Sequence, residues 1–302
     1  LIGAIGGQLY HFSMFPCKPA NPEDKRPPTA PAGTETAVCL ASSHLAFQVH
    51  AGFLGGLDEA GIRPHHISGA SSGAFVGGLY AAGISPEDIK KILSAGKMFR
   101  AFWEWRGPLR GLGMLANLRG VTGFLSGKKF LRYIDRFVGD LRIEDCPRAR
   151  LSIAVTNLTN NAPEIIRSGP LKEFIVASCA VPCIFGAYKI GHHLYLDGAI
   201  SDAAPFLHLA RDPNIGTIIV HVVTHPDDPP HRRAGTIADA MGRSHQIITD
   251  RILELSVDAA RRQGKRVTVL TSEVPRFRFG ASRSVEPYFA AGKRTAQNHR
   301  AS

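Results

Sequence analysis

The pentapeptide Gly69-Ala70-Ser71-Ser72-Gly73 constrains this chain more than any other stretch, because of what flanks it. Before it, residues 64–68 read as a short incoming strand. After it, residues 72–82 are small and apolar and are closed by Gly83, as a buried helix would be. A serine on so sharp a strand-to-helix turn takes an unfavourable backbone angle. Side chains at Gly69 and Gly73 would collide with the turn or with a neighbouring strand, so both positions are expected to be glycine for want of space. In a chain with 31 glycines the bare GxSxG pattern also arises by chance; the strand and helix around it are what make Ser71 a candidate nucleophile. At the amino end of the outgoing helix, free N–H groups and the helix dipole would stabilise negative charge developing on a substrate oxygen.

The rest of the chain repeats the strand-helix alternation. Strand-like runs are expected at 37–40, 151–156, 164–166, 194–196, 217–223 and 267–270, and helices at 45–60, 171–179 and 237–263. Ser85-Pro86-Glu87-Asp88 starts another helix with a cap, a proline at its first position and a carboxylate three residues on. Such alternation implies an α/β fold, a mostly parallel sheet sandwiched by helices. Five prolines between Lys18 and Glu35 mark residues 1–35 as a disordered lead-in, residues 36–275 as the folded domain and residues 276–302 as a tail with a short helix. Residues 99–124 mix Phe102, Trp103, Trp105, Leu109, Leu112, Met114 and Leu118 with glycines, and read as a mobile, greasy flap whose tryptophans are either core or an edge that docks on lipid.

Composition excludes several classes. With 44% apolar and 20% charged residues the chain is expected to be an ordinary soluble globular protein, cytoplasmic, with neither a signal peptide nor an apolar run long enough to span a membrane. The net charge of +11 and pI near 9.7 predict attraction to anionic surfaces at low salt. No nucleic-acid-binding signature accompanies that charge, so peripheral contact with an anionic membrane is the expected use of it and nucleic acid is not. Five cysteines lack metal or disulfide spacing, and 13 histidines, including His65, His66, His192, His193, His221 and His225, lack an HExxH pattern. Neither a metal nor a cofactor is expected, and nothing specifies an oligomeric state.

A serine nucleophile needs a group to take its proton. Tyr195-Leu196-Asp197-Gly198-Ala199 ends a strand-like run with an aspartate, either a plain turn residue or a carboxylate pointing across a sheet edge at a neighbouring loop. Spacing alone leaves both readings open.

The two motifs together resemble patatin-like phospholipases. Residues 37–89 resemble the amino-terminal core of that family, in the helix ending Ala51-Gly52-Phe53-Leu54-Gly55-Gly56-Leu57-Asp58-Glu59-Ala60-Gly61-Ile62 and in Ile67-Ser68-Gly69-Ala70-Ser71-Ser72-Gly73-Ala74. Residues 151–202 resemble its second half, in Thr156-Asn157-Leu158-Thr159, Arg167-Ser168-Gly169, the turn from Ala177-Ser178 to Pro182, Phe185, and Leu196-Asp197-Gly198-Ala199. The resemblance implies a three-layer αβα sandwich of the FabD/lysophospholipase type. It also implies Ser71 as nucleophile, Asp197 completing a Ser-Asp dyad without a triad histidine, and glycerolipids or other fatty acyl esters as substrate.

One stretch departs from the family. Where a glycine run and a basic residue are expected before the first helix, this chain reads Ser42-Ser43-His44-Leu45-Ala46-Phe47. The backbone N–H groups of Ser43 and His44, with that of Ser72, are then the expected oxyanion donors. Two alternatives follow: an esterase with a Ser-Asp-His triad through His221 or His225, and a lipid-binding or regulatory protein of the same fold that has lost catalysis.

Overall fold

The computed structural model describes residues 32–43, 45–93, 100, 102, 104, 107–116, 122–226, 235–275 and 285–300. Nearly all of the expected disordered lead-in, together with His44, Trp103 and Trp105, lies outside the described residues.

Ten strands are described: β1 (Glu35–Leu40), β2 (His66–Gly69), β3 (Gly123–Leu125), β4 (Arg150–Asn157), β5 (Ala162–Ile166), β6 (Cys183–Phe185), β7 (Tyr188–Ile190), β8 (His193–Asp197), β9 (Ile215–Thr224) and β10 (Arg266–Glu273). Eight of them form one mixed sheet in the order β10-β9-β1-β2-β4-β8-β7, with β5 also on β4. The five strands from β10 to β4 run parallel. Strands β5, β7 and β8 pair antiparallel. Strand β1, inside the sheet and buried on both faces, reads as a continuous apolar run, which is why Ala37 to Leu40 shows no alternation.

Among the described residues eight α-helices flank these strands: α1 (Phe47–Glu59), α2 (Ser72–Ala81), α3 (Pro86–Ile92), α4 (Gly107–Leu115), α5 (Lys128–Val138), α6 (Leu171–Ser178), α7 (Ile237–Arg262) and α8 (Glu286–Arg300). Val38, Leu40, Ile67, Ile153 and Val155 face one core with Phe53, Leu54, Phe75, Leu79 and Ile175 from α1, α2 and α6. Ala37, Cys39, Ile218, Val220 and Val267 face the other, closed by Phe206, Leu209 and Val257. The result is the three-layer αβα sandwich expected. At the start of α3, Ser85 Oγ accepts the Asp88 N–H at 3.2 Å behind Pro86, as the cap sequence predicts.

Two segments differ from the sequence reading. The carboxy-terminal stretch is more than a tail with a short helix: α8 has 15 residues, and Phe289 and Ala296 are buried against α1. A Cβ on Gly52 would overlap the Phe289 carbonyl and one on Gly292 the Val49 carbonyl, so these helices meet backbone to backbone. The described part of residues 99–124 also has fixed contacts. Phe102 stands 4.7 Å from the Phe130 ring and 5.8 Å from Phe185, and Arg110 Nε donates to the Gly123 carbonyl at 3.1 Å. Amphipathic α5, which supplies Phe130, Tyr133, Ile134 and Val138 to the core, is missing from the sequence reading because basic residues are interspersed with its apolar stripe.

Gly52→Val should force α8 off α1 and cost about 2–4 kcal/mol. A urea unfolding midpoint unchanged from that of the parent protein would contradict this close helix crossing.

Candidate active site

The register of β4 explains how two distant motifs meet. Ile153 pairs with Gly69 of β2 and with Ile166 of β5, and Val155 pairs with Asp197 of β8 and with Glu164 of β5. A strand has two edges, so β5 holds one and β2 and β8 share the other, end to end. Parallel β2 runs up to its last residue, Gly69; antiparallel β8 runs down to its last, Asp197. Their partners on β4 are two residues apart, about 7 Å. That gap suits a serine from one strand end and an aspartate from the other.

Ser71 bridges it. Its Oγ donates to Asp197 Oδ2 at 2.7 Å, and both residues are buried. The backbone at Ser71 sits at φ 53° and ψ −117°, a conformation costing roughly 1–3 kcal/mol in a non-glycine residue. Three bonds hold it there. The Ser71 N–H donates to Ser178 Oγ at 2.9 Å, and the Ser71 carbonyl accepts the Phe75 N–H at 3.0 Å and the Cys179 thiol at 3.3 Å. Ser178 in turn donates to the Ala154 carbonyl at 2.7 Å, fastening the elbow to β4. The steric expectation for the elbow glycines holds: a Cβ at Gly73 would overlap the Leu40 carbonyl of β1, and one at Gly69 would come within 2.5 Å of Gly73.

Asp197 is fixed from every side. Oδ1 accepts the Ala199 N–H at 2.8 Å, the backbone N–H donates to the Ala180 carbonyl at 3.0 Å, and the carbonyl accepts Thr156 Oγ1 at 2.8 Å. Gly198 follows because a Cβ there would overlap the Ala154 carbonyl. Burial lifts the Asp197 carboxyl to about 7, against the opposing pull of the bonds from Ser71 and Ala199. The same burial, with the Asp197 charge beside it, holds the Cys179 thiol neutral.

The loop before α1 is closed down. The Ser43 N–H, an expected oxyanion donor, instead donates to Ser72 Oγ at 2.8 Å, and the Ser43 and Ser72 hydroxyls share a hydrogen bond of 2.8 Å. Ala46, standing where the resemblance leads one to expect a basic residue, is buried among Val49, Val223, Val274 and Tyr288. A cationic side chain has no place there.

The histidines are occupied elsewhere. His221 Nδ1 meets His50 Nδ1 at 2.8 Å and its Nε2 meets Ser272 Oγ at 2.9 Å, with the Phe53 ring stacked at 3.9 Å. Burial lowers the affinity of both rings for a proton, that of His50 to about 4, so the pair is neutral. His225 Nδ1 lies 2.9 Å from the Val274 carbonyl. His66 Nε2 lies 2.7 Å from Ser152 Oγ. Among the described residues no three histidine, cysteine or acidic side chains gather as metal ligands would. Sequence reasoning gave no role to Ser178 or Cys179; their only signal was the small-residue turn after α6.

Because the Asp197 carboxyl is raised from 3.8 to about 7 on folding, the native state binds more protons than the unfolded chain between those pH values. Stability therefore falls as pH rises through that window and levels above it. Asp197→Asn removes this dependence and should gain on the parent protein by on the order of 3 kcal/mol between pH 4 and pH 8. Urea midpoints of the two proteins that keep a constant separation across this range would contradict a buried, raised carboxyl.

Comparison with known proteins agrees with this architecture. A 177-residue stretch is 29% identical to uncharacterized NTE family proteins of Mycobacterium bovis and Mycobacterium tuberculosis, covering 58% of this chain and 45% of theirs. The chain thus spans less than half the length of these relatives. The crystal structure of VipD from Legionella pneumophila superposes with a TM-score of 0.54 at 14% identity, over 90% of this chain and 67% of that one, a likeness of fold. No helix among the described residues is long and apolar enough to cross a membrane. The family model for patatin-like phospholipases matches residues 46–210, which run from the start of α1 through the elbow, β4 and Asp197, and the chain belongs to that family.

Proposed function

We propose that this chain hydrolyses acyl esters of lipids, with Ser71 as nucleophile and Asp197 as the group that moves its proton. The observation that carries the proposal is the buried 2.7 Å bond from Ser71 Oγ to Asp197 Oδ2. As Ser71 Oγ attacks the ester carbonyl carbon, its proton passes to Asp197. The tetrahedral adduct then expels the alcohol, which takes that proton, and leaves an acyl-serine. Water attacks this ester with Asp197 as base, and the acid leaves as Ser71 recovers its hydrogen. A carboxyl titrating near 7 suits both directions of transfer better than an ordinary aspartate would.

The adduct's oxygen needs donors. Ser72 supplies one as the first residue of α2, where an N–H has no acceptor within the helix. The Ser43–Ser72 pair adds another by proton count. Two hydroxyls share one hydrogen bond between them, so one O–H is left to donate. The Ser43 N–H itself becomes a donor only if Ser72 Oγ releases it. That occupied N–H also favours a second reading, a lipid-binding protein without turnover. The triad reading through His221 or His225 loses its support, since both rings are engaged away from Ser71.

On a short p-nitrophenyl ester, Ser71→Ala and Asp197→Asn should each lower kcat by roughly a thousandfold or more with KM little changed. A fluorophosphonate should label Ser71 in the parent protein. For that protein log(kcat/KM) should rise with unit slope to about pH 7, as Asp197 loses its proton, and stay flat above. Full activity in either variant would sink the dyad; an unreactive Ser71 would leave only the binding protein.

A further inference from the structure

Beside the dyad lies an apolar surface that the fold leaves uncovered. Gly123 pairs with Cys183 and Leu125 with Phe185 in parallel β3 and β6, so Phe124 and Ile184 stand side by side on the outer face of this ribbon while Phe185 points inward. Ile184 is 51% exposed and Phe124 40%. Helix α4 lies against the same ribbon, with Gly111 under the Phe124 ring, and its next residue, Leu112, is 65% exposed. Val181 is exposed as well. The ribbon leads directly from the dyad: Cys179 touches the Ser71 carbonyl, Ala180 accepts the Asp197 N–H, and Ile184 is four residues on, at most about 14 Å away. A further exposed apolar side chain, Ile200, sits three residues past Asp197. Exposed apolar side chains set close together on one surface mark a site of interaction.

Charge identifies the occupant. Between residues 100 and 136, the stretch that builds α4, β3 and α5, eight basic residues stand against two acidic ones. Lys128 and Arg132, one turn apart and exposed, open α5 three residues after Leu125. Exposed apolar side chains followed in the chain by exposed lysine and arginine fit the boundary between acyl chains and anionic headgroups. A protein partner would need a complementary acidic rim of its own.

We infer that Leu112, Phe124, Val181 and Ile184, with Lys128 and Arg132, form a docking surface for an anionic lipid bilayer. It would set the dyad at the interface where long-chain acyl esters are found. The inference rests on the ester-hydrolase reading only for its purpose. Its test is therefore binding by the Ser71→Ala protein, which turns nothing over, in sedimentation with vesicles of phosphatidylcholine alone or mixed with phosphatidylserine. The protein should partition onto the mixed vesicles and much less onto phosphatidylcholine. Leu112→Glu and Ile184→Glu should each weaken partition about tenfold. Lys128→Glu with Arg132→Glu, or high salt, should weaken it severalfold.

Met241→Glu and Ile247→Glu, on the exposed side of α7, should leave partition unchanged. In the Ser71 background, Leu112→Glu and Ile184→Glu should keep their urea midpoints and hydrolyse a soluble short ester within about twofold of the parent protein. An absence of partition overturns the inference. So does equal weakening by the α7 variants, or light scattering that shows Ile184→Glu dissolving a dimer. Equal partition onto both vesicles overturns the role of charge. Loss of all ester turnover with vesicle binding intact would fail the hydrolase reading and spare the surface.

Discussion

A carboxylate kept from water, with one hydroxyl and one amide to satisfy it, is costly to bury, and the pairing around β4 is what holds it there. Strand β4 is twice the length of β2, and the surplus is what β8 pairs with. Without that overhang, the strand ends would not face each other along one edge. The reversal of strand direction beyond β4 therefore has a use. It brings a carboxylate to the end of the parallel strands, where the elbow also emerges.

The strain at Ser71 and the burial of Asp197 are met by short polar links to the same strand. Ser178 bonds both to the elbow and to the Ala154 carbonyl, while Thr156 holds the Asp197 carbonyl. Gly198 brings the chain close over that same Ala154 carbonyl. One strand thus positions both Ser71 and Asp197.

The elbow was legible because local rules over-determine it: the two glycines, the incoming strand and the helix all demand the same turn. Strand β1 and the centre of β9 were legible as apolar runs. Asp197 was not, since an Asp-Gly pair ends many turns and only its partner across β4 gives it meaning. Resemblance supplied what spacing left open. The role of Ser178 lay beyond either, because a single hydroxyl in a small-residue turn carries no pattern. The reading of α8 as a short helix in a tail failed where contacts are long-range: Gly52 and Gly292 have their reason in each other's helix, 240 residues apart. That the Ser43 N–H is taken up by the Ser72 hydroxyl was not legible either, because the bond joins residues of two separate motifs.

That backbone-to-backbone seam between α1 and α8 has a mechanical side. Ala46, the last residue of the loop opposite the elbow, shares its apolar cluster with Tyr288 of α8. The final helix is thus a splint for the segment that must yield if Ser43 is ever to let go of Ser72. Loosening that segment would therefore disturb packing with a helix more than 200 residues along the chain.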